Sequence, residues 1–305
     1  MIIAKEKKGR NETSMERKII DLHVHSTESD GTLTPEEVVA AAKEAGLSAI
    51  ALTDHDTCSG VAKAKKAAEG TGVELVPGIE LSTTYALPNG KEKEIHVVGL
   101  FIDTDNQALL DKTAEFRACR DSRNEKMVEA LQKEGFPITM EALLAENPDC
   151  VITRANIARF LLEHGCIKSI AEAFDKYIGD GCRCYVDRFK ITPMEAVSLI
   201  KGAGGTAILA HPLLYHLSSD YLQKLIDDMK EVGLDGMEAI YSTYTTGEEQ
   251  LMKKTAKENG LLISGGSDFH GSNKPAIHLG TGRGSLYIPY SVLENIKAAR
   301  EHQHS

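Results

Sequence analysis

Short runs of β-branched and apolar residues alternate with amphipathic stretches along most of the chain, the rhythm of βα units stacked around a parallel sheet. Seven runs read as strands: Ile19–Val24, Ser48–Thr53, Val73–Ile79, Ile95–Ile102, Thr206–Ala210, Gly236–Tyr241 and Leu261–Gly265. After the first run, Thr34-Pro35-Glu36-Glu37 supplies an N-cap, a proline in the first turn and acids at the positive helix end, and Gly46 closes the helix. Thr192-Pro193-Met194-Glu195 repeats the device.

The rhythm breaks between the fourth and fifth runs, where the pattern predicts helices over Asn106–Glu134, Met140–Glu146, Arg154–His164 and Ser169–Ile178. The expected organisation is a polar tail over residues 1–17, a barrel domain built from residues 18–105 and 190–295, and an inserted helical subdomain over 106–189. Arg117, Arg120 and Arg123 recur every third residue, so their guanidinium groups share one side of the first inserted helix. Pairing with Glu115, Asp121 and Glu125 would make that side a solvated face; otherwise it is a basic surface over the substrate.

The 305 residues are 42% hydrophobic and 26% charged, which excludes disorder and fibrous repeats and allows one large α/β domain with an insertion. No apolar run is long enough for a membrane helix, and Met1-Ile-Ile-Ala-Lys-Glu-Lys-Lys-Gly9 lacks the apolar core of a signal peptide, so a soluble cytoplasmic protein is expected. The six cysteines then read as reduced thiols, Cys58 as a small apolar filler, and Cys182 and Cys184 as weak metal candidates without a second pair. A net charge of −10 argues against wrapping duplex DNA with a basic face. An anionic substrate would need local positive charge from metal ions or arginines, and nothing signals an obligate protein partner.

The informative pattern is where histidines and acids fall. His23 and His25 end the first run as Asp21-Leu-His-Val-His-Ser26, on one face by alternation, and Asp30 follows in a turn. Later runs lead to Thr53-Asp-His-Asp56, Gly78-Ile-Glu80, His96, Ala210-His-Pro212 and Gly266-Ser-Asp-Phe-His270. Six of the seven runs thus bring a His, Asp or Glu to their carboxyl ends or nearby, which in a closed βα barrel converge on one mouth. Singly, His96 or His211 reads as a core histidine and Glu80 or Asp268 as a helix cap. Together and without cations the carboxylates would repel one another and lose several kcal/mol each on desolvation, roughly. Mixed imidazole and carboxylate ligation suits zinc, manganese or iron. His164, His302 and His304 read as surface residues, and so does His278, with a place lining the mouth as its alternative.

At these motifs, from residue 19 to about 290, the chain resembles the polymerase and histidinol phosphatase (PHP) family of metal-dependent phosphoesterases. The resemblance implies a distorted seven-stranded TIM-like (β/α)7 barrel with two or three divalent ions, manganese first and zinc or iron as alternatives, and inserted helices across the mouth. It assigns His23, His25, Glu80 and Asp268 to a first metal, with Glu80 bridging; Asp30, His55 and His270 to a second; and Glu80, His96 and His211 to a third. The catalytic candidates are His211, His270 and Asp268. Where many relatives carry a histidine in the insertion, this chain has Arg154-Ala-Asn156, so Asn156 either binds substrate or weakens the third site. Arg154, Arg117, Arg120 and Arg123 are the candidates for gripping a second phosphate.

The implied activity is hydrolysis of a phosphate ester on a small nucleotide, either a 3′,5′-bisphosphate nucleotide or the 5′ end of a short oligoribonucleotide. The alternatives are a histidinol-phosphate-type phosphatase, an amidohydrolase acting on a C–N bond, and a metal-stabilised scaffold without catalysis.

Overall fold

The structure, a computed structural model, describes residues 18–147, 151–187 and 191–303; the expected tail over 1–17, Cys150 and His304 lie outside them. Seven strands form one sheet in chain order: β1 (Ile20–Val24), β2 (Ala49–Leu52), β3 (Glu74–Ala86), β4 (Glu92–Leu100), β5 (Thr206–Leu209), β6 (Gly236–Tyr241) and β7 (Leu262–Gly266). Helices α1 (Pro35–Glu44) and α2 (Val61–Ala68) separate the first three strands. Between β4 and β5 come α3 (Gln107–Lys133), α4 (Met140–Glu146), α5 (Arg154–Glu163), α6 (Ile170–Ala173), a π-helical turn at Phe174–Ile178, and α7 (Pro193–Gly202). Then α8 (Ser219–Glu231), α9 (Thr246–Glu258) and α10 (Ser291–Gln303) complete the chain. Thr34 and Thr192 each form a capping box with the glutamate three residues on, which fixes where α1 and α7 begin.

The sheet departs from the parallel arrangement that the βα rhythm suggests. β4 runs antiparallel to both β3 and β5, while the other adjacent pairs are parallel. β3 continues past Ile79 to Ala86 and returns directly as β4 through a turn in which Leu87 N–H donates to Lys91 O at 2.7 Å and Gly90 takes φ +79°. Asn89-Gly90 is a strong local hairpin signal, and it outweighs the helix-spaced rhythm here. Because β4 runs backwards, its amino-terminal half lies beside the carboxyl half of β3, with His96 opposite Ser82. His96 therefore reaches the mouth from mid-strand.

Closure joins β1 to β7 at the site end: Asp268 N–H donates to His23 O at 2.9 Å and His25 N–H to Phe269 O at 3.0 Å. Gly266 permits this approach, since a Cβ there would overlap His23. One apolar cluster joins strand residues such as Leu22, Val98 and Ile208 to Ile288, Leu293 and Ile296; a second packs Val38, Val39 and Ala42 of α1 against Ile50 and Leu52. A third, larger cluster includes Leu109 and Phe116 of α3 together with α7, α8 and their strands. The inserted helices have an apolar cluster of their own, running from Met127 to Cys184. α3 is thus shared, its first half packed on the barrel and its second half in the insertion. No helix among the described residues is long and apolar enough to cross a membrane.

Candidate metal centre

The side chains at the mouth centre on Glu80. Its Oε2 lies 3.3 Å from His23 Nε2, 3.3 Å from His25 Nε2 and 3.0 Å from His55 Nδ1. Its Oε1 lies 2.9 Å from His96 Nδ1 and 3.1 Å from His211 Nε2. Two further carboxylates complete the ring. Asp268 Oδ1 stands 3.3 Å from both His25 Nε2 and His270 Nδ1, and Asp30 Oδ1 stands 3.1 Å from His270 Nε2. His23, His25, Glu80, His211, Asp268 and His270 are all buried.

Strand geometry explains the convergence. Alternation along β1 puts Asp21, His23 and His25 on the same side, while His55, His211 and His270 lie just beyond the ends of β2, β5 and β7. Asp56, His211 and Asp268 hold φ values of 56°, 25° and 57°, strained for residues with a Cβ and concentrated where the chain turns at the mouth.

Burial alone would discourage ionisation of Glu80, but the imidazoles of His55, His23 and His96 outweigh it and hold the carboxyl well below its usual range. Asp30 is lowered in the same way against its own burial, by His270 and His55. For His25, burial and the neighbouring rings of His270 and His55 bring the pKa down to about 4, so the ring is a neutral donor near pH 7.

Whether cations fit is answered by the atoms left over. His23 Nε2, His25 Nε2, His55 Nδ1, Glu80 Oε2 and His211 Nδ1 are buried and form no hydrogen bond. Buried polar atoms are rarely left so, because each costs about 1–3 kcal/mol. Here several belong to one cluster and all are lone-pair donors to a cation. Four groups of ligand atoms lie within 4.8 Å of one another: His25, Asp30, His55 and His270; His23, His25 and Asp268; His23, Glu80 and His211; and His55, Glu80 and His96. All nine expected ligands occur in these groups, but the grouping differs from the expected one. His25 also joins the Asp30 set, and His96 and His211 fall into separate sets that share Glu80. No cysteine joins any group among the described residues, and Cys182 and Cys184 lie in a turn after the π-helical segment, not on a strand.

Several partners escape the sequence reading. Glu238 is buried in β6, accepts from His23 Nδ1 at 2.9 Å and accepts from His211 N–H at 2.7 Å, so the sixth run serves the site too. The alternation within Gly236–Tyr241 carries this signal. Asp268 Oδ2 is held by Tyr241 OH at 2.6 Å and Lys274 Nζ at 2.7 Å, leaving Oδ1 toward the histidines. Asp54 ties the loop behind the site through Ser26 and Ser29. These contacts orient the rings and carboxylates that face the centre.

Above the cluster lies a cavity of about 220 Å³ lined by Asp30, His55 and His96 from the barrel and by Arg120, Arg123 and Arg154 from the insertion. Arg120 and Arg123 are buried, not a solvated face: Arg120 Nη2 lies 2.6 Å from Asp56 Oδ2, and Arg123 Nη2 donates to Asn124 at 2.8 Å. Arg154 pairs with Asp180 at 2.7 Å. Arg117 reaches Thr57 at 3.4 Å and lines neighbouring grooves outside this cavity. Asn156 is also absent from the lining. Its Oδ1 accepts from Thr153 N–H at 2.9 Å and Thr153 Oγ1 at 2.7 Å, and its amide donates to Asn147 at 2.9 Å. The capping of α5 and the contact with Asn147 thus engage both ends of that amide. His278 is exposed.

Known proteins share this architecture. The PHP domain family matches residues 21–140. A 5′-3′ exoribonuclease of Haemophilus influenzae is 38% identical over 250 residues, covering 82% of this chain and 89% of that protein. A 3′,5′-nucleoside bisphosphate phosphatase of Chromobacterium violaceum is 34% identical, covering 82% of this chain and 87% of its own. A solved structure from Bifidobacterium adolescentis, described as a metal-dependent phosphoesterase, superposes with a TM-score of 0.78 at 30% identity, covering 93% and 96% of the two chains. On sequence and fold together, the chain belongs to the PHP family of metal-dependent phosphoesterases.

Proposed function

We propose that this protein hydrolyses a phosphate ester of a small nucleotide, either a 3′,5′-bisphosphate nucleotide or the 5′ end of a short oligoribonucleotide, with two or three manganese ions held at the barrel mouth. The observation that carries the reading is the set of unpartnered imidazole and carboxylate atoms gathered on Glu80 beneath a cavity walled by arginines. In this reading His23, His25, Asp268 and Glu80 hold one ion, Asp30, His55 and His270 a second, and His96 and His211 with Glu80 a third, zinc or iron being the other metals the donor set suits. When bound, such ions acidify water and neutralise phosphoryl oxygens.

The remaining work belongs to the chain itself. Glu238 fixes the His23 ring through Nδ1, so that Nε2 is the nitrogen presented to the centre. Tyr241 and Lys274 hold one oxygen of Asp268 and leave the other for ligation. His211 turns Nε2 to the shared carboxylate, 3.1 Å from Glu80 Oε1, and its backbone N–H is held by Glu238 at 2.7 Å, which keeps this catalytic candidate at the centre. Arg154, with Arg120 and Arg123 behind it, receives the second phosphate, as planar guanidinium groups suit paired phosphate oxygens. That cationic wall favours a phosphorylated substrate over a neutral amide. A chain of net charge −10 fits a short substrate in the cytoplasm, not a duplex.

The test is a manganese-supplemented phosphate-release panel of bisphosphate nucleotides, 5′-phosphorylated dinucleotides, mononucleotides, histidinol phosphate and acyl amides, run beside His23→Ala. Turnover confined to the first two classes and abolished in the variant is expected. Preference for histidinol phosphate or an amide overturns the proposal, as does activity undiminished in His23→Ala.

A further inference from the structure

We infer that Phe174 and Tyr185, carried by the insertion, form a stacking platform for a nucleobase at the outer end of the cavity. The inference rests on the nucleotide phosphoesterase reading and adds a subsite which that reading does not contain. Both rings line the same cavity as His55, His96 and Arg154. The Arg154 guanidinium carbon lies 5.8 Å from the centre of the Phe174 ring and 5.5 Å from that of Tyr185.

From the rings, a continuous set of contacts leads inward. Arg154 Nη2 is 3.9 Å from Glu94 Oε2, Glu94 Oε1 is 3.1 Å from His96 Nε2, and His96 Nδ1 is 2.9 Å from Glu80 Oε1. Along one wall the chemistry therefore passes from ligand groups, through the Glu94 carboxylate, to guanidinium and then to aromatic. A nucleotide with two phosphates carries the three matching groups, a reacting phosphate, a second phosphate and a base, branching from one ribose.

The platform is built into the local fold. Phe174 opens the π-helical turn, a wide turn that recurs at functional positions. The chain then doubles back at Gly179, where a Cβ would overlap the Phe174 carbonyl oxygen, a close approach open only to glycine. Cys184 is buried in the apolar cluster of the insertion and donates its N–H to Tyr177 O at 2.9 Å, which anchors the neighbouring Tyr185. Both rings stay partly exposed, whereas a core aromatic would be covered. No Asn or Gln lines the cavity among the described residues, so little is present to read a base edge through paired amide hydrogen bonds. A platform of this kind accepts every base by its face and favours purines by area.

The test compares kcat/KM on adenosine 3′,5′-bisphosphate with kcat/KM on the same sugar bisphosphate lacking a base, using manganese-loaded enzyme. The wild type is expected to prefer the base-bearing substrate by about tenfold or more, mainly through KM. Phe174→Ala and Tyr185→Ala should bring that ratio toward unity, and Tyr185→Phe should keep it. A wild type without preference, or alanine variants that slow both substrates equally because the rings only brace Arg154, overturns the inference. Calorimetric binding of adenosine 5′-monophosphate against ribose 5-phosphate repeats the comparison without turnover. Binding favoured by the base in a protein that hydrolyses neither substrate rejects the phosphoesterase reading and upholds the platform. Equal affinity, or binding of neither ligand, rejects the platform.

Discussion

The barrel mouth and the inserted helices face one another across a single cavity, yet they place their side chains by different means. At the mouth, histidines and acids sit on or just beyond strands whose register is locked by backbone hydrogen bonds, so ring positions follow from strand order. The insertion presents arginines from helix faces, and what each arginine does depends on how α3 and α5 are docked. Arg117 and Arg120 are one turn apart, but Arg120 is buried against Asp56 at the cavity whereas Arg117 lies outside it. Strands thus carry the centre and helices the cap above it.

The contrast predicts graded effects. The largest belongs to the strand-borne centre. Glu80→Gln removes the carboxylate shared by the histidines and should cut phosphate release by roughly a thousandfold, several kcal/mol of lost charge stabilisation. Elemental analysis of the purified variant should find it depleted of metal, and full metal content with full activity would unseat Glu80 from the centre.

Next is the joint between the two regions. Arg120→Ala takes away the guanidinium paired with the buried Asp56 carboxylate and should destabilise the protein by about 3 kcal/mol, read as a lower midpoint in urea. An unchanged midpoint would mean that α3 does not depend on this pair for docking.

Glu238→Gln should follow. It weakens the hold on His23 without removing a proposed ligand, and about a 10- to 100-fold loss of metal affinity is expected in competition with a chromophoric chelator. An unaltered affinity would reduce Glu238 to a packing role.

The smallest effect, confined to the cap, sharpens the comparison most. Arg154→Ala should raise KM for a bisphosphate by about tenfold and for a monophosphate far less, as expected for one lost charge-assisted contact. Arg117→Ala should leave stability within about 0.5 kcal/mol of wild type. Equal KM increases on both substrates in Arg154→Ala would reject its role at the second phosphate.

Strand-borne residues were the more legible. His23 and His25 could be placed together because alternation within one strand is a local property. Glu80, His211 and His270 could be read as mouth residues too, because each motif follows a β-favouring run. Glu238 was missed although it obeys the same rule, since a lone glutamate in Gly236–Tyr241 has no histidine beside it to draw notice. The reversal of β4 escaped because Asn89-Gly90 acts over a few residues while the βα rhythm extends over the whole chain. Asn156 shows the converse difficulty: its place in the motif suggested ligand or substrate binding, and its use in capping α5 depends on Thr153 and Asn147 lying within hydrogen-bonding reach.

Local order along the chain was enough to determine seven strand runs alternating with helices, the residue types at their ends and the need for cations among so many gathered donors, because periodicity, capping and charge act over short spans; the closed barrel followed from the family resemblance. The tertiary structure alone decided which imidazoles share which carboxylate oxygen, that β4 runs backwards, and that Arg120 and Arg154 meet the cavity while Arg117 does not. Those outcomes turn on ångström-scale distances between segments far apart in the chain, set by packing that no single segment encodes.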